Sequence, residues 1–229
     1  MRENNSLSFF MKVTYLFNSG FVVELEKHIL IFDYFKGAID HLDPHKKVYV
    51  FSSHRHEDHY NPDIFNFKHP SITYILSDDI DHDGFKVKPH QTYHIDDLSI
   101  KTLLSTDEGV AFVVNVENKT IYHAGDLNWW NWEGEPQDFL DDQERIFKQE
   151  INSIKDIHFD IMMIPLDIRL ENHASDGMNY ILSHMKPQYV FPMHCFSHHK
   201  EMSQLLDLPP LNQYSIFKIG KRHQIWTLN

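Results

Sequence analysis

The residues with the clearest chemical capacity lie between Phe51 and Tyr60, where the chain reads Phe-Ser-Ser-His-Arg-His-Glu-Asp-His-Tyr. His54, His56, Asp58 and His59 fall within six consecutive positions. Imidazole nitrogens and carboxylate oxygens are donors that hold divalent metal ions. The apolar run Val48-Tyr-Val-Phe51 reads as a strand that ends where these donors begin. Residues two apart on an extended chain face the same side, so His54 and His56 can grip one ion together. Once the chain turns, Asp58 and His59 can face a second ion. Asn61-Pro62 reads as an N-cap followed by a proline at the first helical position, which predicts a helix start. Chance clustering among 18 histidines accounts poorly for this hexamer. The isolated His28, His69, His158 and His223 read instead as surface or internally satisfied residues.

A bound metal needs about four to six ligands, so the hexamer is incomplete. Two later strand ends offer donors. Ile121-Tyr-His-Ala-Gly-Asp126 closes an apolar run with a glycine, where the backbone can turn sharply and present a carboxylate. Tyr189-Val-Phe-Pro-Met-His194 closes another with an imidazole. Cys195 is expected to point the other way and pack. His198 and His199 read as a solvated loop pair.

The pattern His54-x-His56-x-Asp58-His59 resembles the signature of the metallo-β-lactamase fold superfamily of metal-dependent hydrolases. The resemblance implies an α/β (α+β) fold, a four-layer αββα sandwich, with one or two metals where the loops of the two sheets meet. It implies that Asp126 bridges both ions, that His194 completes the second site, and that Asp33 supports the donor loop from behind. On the residues alone, Asp33 is equally a turn aspartate. One departure is plain. Relatives carry a further histidine between the hexamer and the bridging aspartate, whereas the matching stretch here is Leu104-Ser-Thr-Asp-Glu-Gly109. Asp107 substitutes with an oxygen, or water does, or the first site is weak; Asp107 and Glu108 read more readily as solvated loop acids. The first site is then expected to fill second and to favour a harder ion. The stretches His123-Ala-Gly-Asp-Leu-Asn-Trp-Trp130, Ser105-Thr-Asp-Glu-Gly109 and Pro165-Leu-Asp-Ile-Arg169 resemble compact bacterial hydrolases related to the ascorbate-phosphate lactonase.

The chemistry this implies is hydrolysis by a metal-bound hydroxide, because two divalent ions bring the pKa of a shared water near neutrality. His54 and His56 hold one ion, Asp58, His59 and His194 the other, and Asp126 both. The cofactor is Zn²⁺ or Mn²⁺, one or two per chain. Asp58 also accepts the proton of the water. The substrate is a small-molecule ester, lactone or phosphodiester. Arg169 is the candidate for holding a substrate anion, and Trp129, Trp130 and Trp132 line the pocket or pack in the core. The alternative is a metal-binding sensor or scaffold with little turnover, favoured only by the missing histidine.

These donors need a scaffold, and the rest of the sequence supplies its elements. Strand patterns occupy residues 12–17, 21–25, 29–33, 47–52, 72–76, 85–88, 98–103, 110–116, 120–123, 160–164, 188–192 and 215–219. Helix patterns occupy 137–154, where Phe139, Leu140, Ile146, Phe147, Ile151 and Ile154 share a face, and 176–185. A hydrophobic content of 41% over 229 residues supports one large core, so a single domain is expected over 11–229, with 1–10 a mobile leader. No apolar run reaches about 18 residues, which predicts no membrane span. The single Cys195 allows no internal disulfide, and with no export segment a cytoplasmic setting is expected. A formal charge of −12 disfavours a nucleic-acid partner. Oligomeric state stays open.

Overall fold

A computed structural model describes residues 11–39 and 41–229; the leader expected over 1–10 lies outside the described residues. The apolar runs of the first third become strands β1 (Met11–Phe17), β2 (Gly20–Glu24) and β3 (His28–Phe32), which pair antiparallel through tight turns. Strands β4 (Lys47–Ser52), β5 (Ile72–Ser77) and β6 (Phe85–Val87) extend this sheet in parallel. A second sheet begins with β7 (Thr92–Ile95), β8 (Leu98–Leu104), β9 (Val110–Val116) and β10 (Lys119–His123), an antiparallel meander. After helix α1 (Gln137–Asn152) comes β11 (Ile161–Pro165). Helix α2 (Asp176–His184) follows, then β12 (Tyr189–Met193), and both strands join in parallel. Helix α3 (His199–Leu206) precedes β13 (Gln224–Leu228), which returns to the first sheet beside β1. The strand orders are β13-β1-β2-β3-β4-β5-β6 and β12-β11-β10-β9-β8-β7.

The two sheets pack face to face. Phe51 of β4 meets Phe112 of β9 edge-on at 5.2 Å between ring centroids, and Phe32 of β3 stacks on His123 of β10 at 5.1 Å. β3 and β11 are buried at every position, which is why they read as continuous apolar runs rather than alternating ones. Helices α1 and α2 bury Phe147, Ile151, Met178 and Ile181 in the main core. On the first sheet Ile29, Ile31, Val48 and Val50 are covered by Ile64 and Phe65 of a short turn and by loop residues Tyr34 and Phe67. The architecture is the sandwich expected.

Three local expectations are corrected, and β7, α3 and β13 are elements that sequence reading does not find. The helix at Asn61-Pro62 is only a 3₁₀ turn, Pro62–Asn66: Asn61 caps the Asp63 amide, but Phe67 is extended and Pro70 disfavours helix at its preceding residue. Residues 215–219 form no strand; Phe217 stacks on Phe191 at 4.7 Å and donates one backbone bond to Val190. The closing strand is β13, whose alternation turns Trp226 and Leu228 inward and leaves Ile225 exposed. β7 escapes sequence reading because its Thr-Tyr-His-Ile is a half-exposed edge. α3 escapes because its polar opening hides the buried Met202 and Leu206, so His199 starts a helix instead of lying in a loop.

Among the described residues no helix is long and apolar enough to cross a membrane.

Candidate metal centre

The site forms where β4, β10 and β12 end. Asp33, just past β3, lies beside Ser53 because the parallel β3–β4 register aligns their C-terminal ends, and Asp33 N–H closes on Phe51 O at 2.9 Å. Its Oδ1 accepts from the Ser53 amide at 2.7 Å, and its Oδ2 from Ser53 Oγ at 2.6 Å and His59 Nδ1 at 2.7 Å. Burial would raise the Asp33 carboxyl, but His123, His59 and His54 outweigh it and hold it ionised. An ionised carboxylate only accepts, so His59 donates from Nδ1 and turns Nε2 toward the centre.

Asp126 arrives after Gly125, whose φ of +52° places the turn so close that a Cβ would lie 2.7 Å from Ser53 Cβ. His194, also at positive φ, is fixed by its backbone N–H to Asn18 O at 3.2 Å and by Nδ1 to Asp167 Oδ2 at 3.0 Å. Asp167 is buried; burial pushes it up, yet His194 and Arg169 bring it down to about 2. Arg169 Nε bonds both Asp167 oxygens at 2.9 Å.

Two donor groups result. One atom each from His54, His56, Asp107 and Asp126 lie within 4.8 Å of one another, and so do one each from Asp58, His59 and His194. Asp126 joins the groups: its Oδ2 is 3.6 Å from His54 Nε2, and its Oδ1 is 3.0 Å from His59 Nε2 and 3.4 Å from His194 Nε2. Asp58 Oδ2 stands 3.4 Å from His59 Nε2 and 3.5 Å from His194 Nε2. His54 Nε2, His59 Nε2 and Asp126 Oδ1 are buried and make no hydrogen bond. Buried polar atoms normally find a partner. Inward lone pairs whose far sides are anchored, beside ionised carboxylates, fit divalent cations as the missing partners.

The structure thus brings His54, His56, Asp58, His59, Asp126 and His194 together, with Asp33 behind them. His56 sits at the rim, 43% exposed, and meets His54 through the loop rather than by strand alternation. A cavity of about 390 Å³ opens over Asp126 and His194, bounded by Thr106, Asp107, Trp130, Trp132, Phe139, Gln143 and Arg169. Trp130 stacks on Trp132 and donates Nε1–H to Asp126 O at 2.9 Å. Trp129 packs instead beside Phe147 under Lys148. Cys195 is buried, its sulfur 3.8 Å from Tyr15 Oη, in keeping with packing. His199 Nε2 lies 3.2 Å from the same hydroxyl.

Sequence reasoning missed Ser53, Asp167 and Asn18. Asn18 reads only as a turn residue, yet it is fully buried, with Nδ2 donating to Asp58 Oδ2 at 3.0 Å and Oδ1 accepting from the Phe196 amide at 3.0 Å. The one signal in the sequence is the turn composition Asn18-Ser-Gly20, which fits the positive φ of 54° found there, since asparagine tolerates that conformation. Asn18→Ala is expected to destabilise the fold by about 1–3 kcal/mol, as the Phe196 amide loses its acceptor. It should also weaken cation binding about 10–100-fold through the loosened Asp58. Thermal melts and Zn²⁺ titration of the variant check both.

The two groups differ in protonation. Burial and His59 push His54 down to about 4. Burial would lower His194 too, but Asp126, Asp167 and Asp58 raise it to about 9. A raised imidazole adds stability that is fully present below its unfolded value of about 6.5 and is lost as pH rises through about 9. Cations bind neutral imidazole, so loading the His194 group near pH 7 should expel a proton, and its affinity should climb up to about pH 9. Calorimetric titration in two buffers of different ionisation enthalpy is expected to give different apparent heats. Equal heats would contradict a charged imidazole in this group, where His59 is raised as well: burial opposes the shift, but Asp126 and Asp33 prevail.

A family model described as the β-lactamase superfamily domain matches residues 12–135, a span that contains the hexamer and Asp126 but ends before His194. A UPF0173 metal-dependent hydrolase from Desulforamulus reducens is 26% identical over 209 residues, covering 80% of this chain and 84% of its own. Among solved structures, a metallo hydrolase from the hyperthermophilic archaeon Ignicoccus hospitalis superposes with a TM-score of 0.67 at 17% identity, over 96% of this chain and 99% of that one. The metallo-β-lactamase fold protein YhfI from Bacillus subtilis gives 0.61 at 15% identity, over 94% and 99%. At such identities the two structures show a shared fold.

Proposed function

This chain belongs to the β-lactamase superfamily and is a metal-dependent hydrolase, and we propose that it cleaves an ester, lactone or phosphodiester of a small molecule. The observation that carries this reading is the pair of donor groups that meet at Asp126, which with Asp107 and His194 lines a cavity of about 390 Å³, a volume suited to a small ligand. His54 and His56 with Asp126 would hold one divalent cation, and Asp58, His59 and His194 with Asp126 a second. Bound there, Zn²⁺ or Mn²⁺ supplies an activated water and polarises the electrophile.

The protein residues do the remaining work. Asp33, Ser53 and Asp167 fix the imidazole orientations before substrate arrives. Asp58 is one-quarter exposed and is held ionised: burial opposes this, but His194 and His59 win. Its carboxylate, ionised and partly exposed, is the proton acceptor in this reading. Arg169 Nε is committed to Asp167, and its guanidinium lies 5.7 Å from the Trp132 ring and 4.9 Å from that of Phe196, which leaves a planar cation on the cavity wall for a substrate anion. Trp132 and Phe139 offer apolar surface opposite the donors.

Residues 11–229 act as one domain in this reading, because donors from His54 to His194 and strands of both sheets build one site. The net charge of −12 argues for a small substrate over nucleic acid, and the single cysteine suits a cytoplasmic setting. The alternative is a metal-binding sensor or scaffold with little turnover, which a first group of only His54, His56 and Asp126 would favour. The test is a screen of protein reconstituted with Mn²⁺ or Zn²⁺ against carboxylic esters, lactones and phosphodiesters. Turnover of one class supports the reading and names the bond. No turnover with both cations bound returns the chain to the sensor class.

A further inference from the structure

We propose that Asp107 is the fourth protein ligand of the His54–His56 position, giving both cation positions the same donors. This inference rests on the metal-centre reading above and extends it to a residue outside that set. His54, His56 and Asp126 offer three donors where a divalent ion takes at least about four. His54 Nε2 is fully buried, aimed into the group and without a hydrogen-bond partner. An Asp107 oxygen lies within 4.8 Å of its donor atom and of those from His56 and Asp126.

Asp107 is held there from both sides. Its amide donates to Ser105 Oγ at 3.2 Å, folding the loop back on itself. Gly109, with φ +71°, presses against the donor loop so tightly that a Cβ would lie 1.9 Å from Ser53 O, and Val110 N–H bonds that same oxygen at 3.0 Å. Thr106 Oγ1 donates to Asn128 O at 2.6 Å, just past Asp126. Asp107 is therefore pinned between the segments that carry His54 and Asp126. The neighbouring Glu108 is already engaged by Arg55, through Nε at 2.9 Å and Nη2 at 2.8 Å, which leaves Asp107 as the carboxylate available to the cation.

Each position then has two imidazoles, one carboxylate of its own and one oxygen of Asp126. Equal donors predict comparable affinities, and a carboxylate in place of a nitrogen suits Mn²⁺ better than an all-imidazole set would. The experiment strips the full-length protein with chelator and titrates it with Mn²⁺ and with Zn²⁺, following stoichiometry by calorimetry and Mn²⁺ coupling by electron paramagnetic resonance. The native chain is expected to take two equivalents with affinities within about tenfold of each other and to show a spin-coupled pair. Asp107→Ala should weaken one equivalent by at least about 100-fold, the upper end of what outer partners alone achieve, and lose the coupled signal. Asp107→His should keep two equivalents and shift one toward Zn²⁺. Asp107 is about half exposed, so the fold should survive, as circular dichroism will verify. Two unchanged equivalents in Asp107→Ala, or a single equivalent in the native chain, would overturn this inference while leaving the other donor group standing. A native chain that binds no cation at all would overturn both this inference and the reading beneath it.

Discussion

Asp58→Ala is expected to lower kcat by at least about 10³-fold, because in the proposed reaction it removes a cation donor and the proton acceptor at once. Its Oδ2 faces His59 Nε2 and His194 Nε2 while its geometry is fixed by Asn18 Nδ2. The neighbouring carboxylates are otherwise placed: Asp126 lies between both groups, Asp107 belongs to the other group, and Asp167 is turned to His194 Nδ1 and Arg169. Arg169→Ala is the matched comparison. That side chain is half exposed and touches the cluster only through Asp167, so its removal should act mainly on substrate binding, raising KM about tenfold or more with a smaller change in kcat. Steady-state kinetics on any substrate found by the screen separates the two. Equal loss of kcat in both variants would show that the roles are assigned wrongly.

The largest effect on the fold is expected from Asp33→Ala. This carboxylate is fully buried and serves three donors, the Ser53 amide, Ser53 Oγ and His59 Nδ1, with His123 Nδ1 3.8 Å away. Removing it strands those groups in a dry environment, which should cost about 3–5 kcal/mol. His59 would also lose the bond that fixes its tautomer, so cation affinity should fall together with stability. Asp33→Asn should fall between, since its amide can still accept but presents its own donors to donors. Denaturant melts of the three proteins, with and without Zn²⁺, decide it. A loss below about 1 kcal/mol would mean that Asp33 is merely a turn residue.

The sequence made the donors legible because each follows a strand whose apolar run is local and unmistakable, as at Val48–Phe51, Ile121–His123 and Tyr189–Met193. It hid the residues that orient them, since their partners are set by pairing between distant strands. Asp167 reaches His194 because β11 and β12 run in register, with Pro165 opposite Met193. Asn18 reaches Asp58 across 40 positions of chain. Asp107 read as a solvated acid because nothing local reveals that Gly109 presses its loop against Ser53. The helix pattern at residues 137–154 survived almost unchanged, for its buried stripe is intrinsic to the segment. The strand pattern at 215–219 did not, because its apolar residues pack on β12 with one backbone bond in place of a ladder.

Hydrolysis is expected to depend on cations held by His54, His56, Asp58, His59, Asp126 and His194. Chelator-stripped native protein is titrated with Mn²⁺ while bound metal and hydrolysis are followed in the same samples, with Asp126→Ala alongside. Hydrolysis is expected to be absent at zero metal, to rise with occupancy and to level off at two equivalents, and Asp126→Ala should show neither tight binding nor turnover. Hydrolysis that persists undiminished in the stripped protein, or full activity in Asp126→Ala, would show that these cations do not carry the reaction.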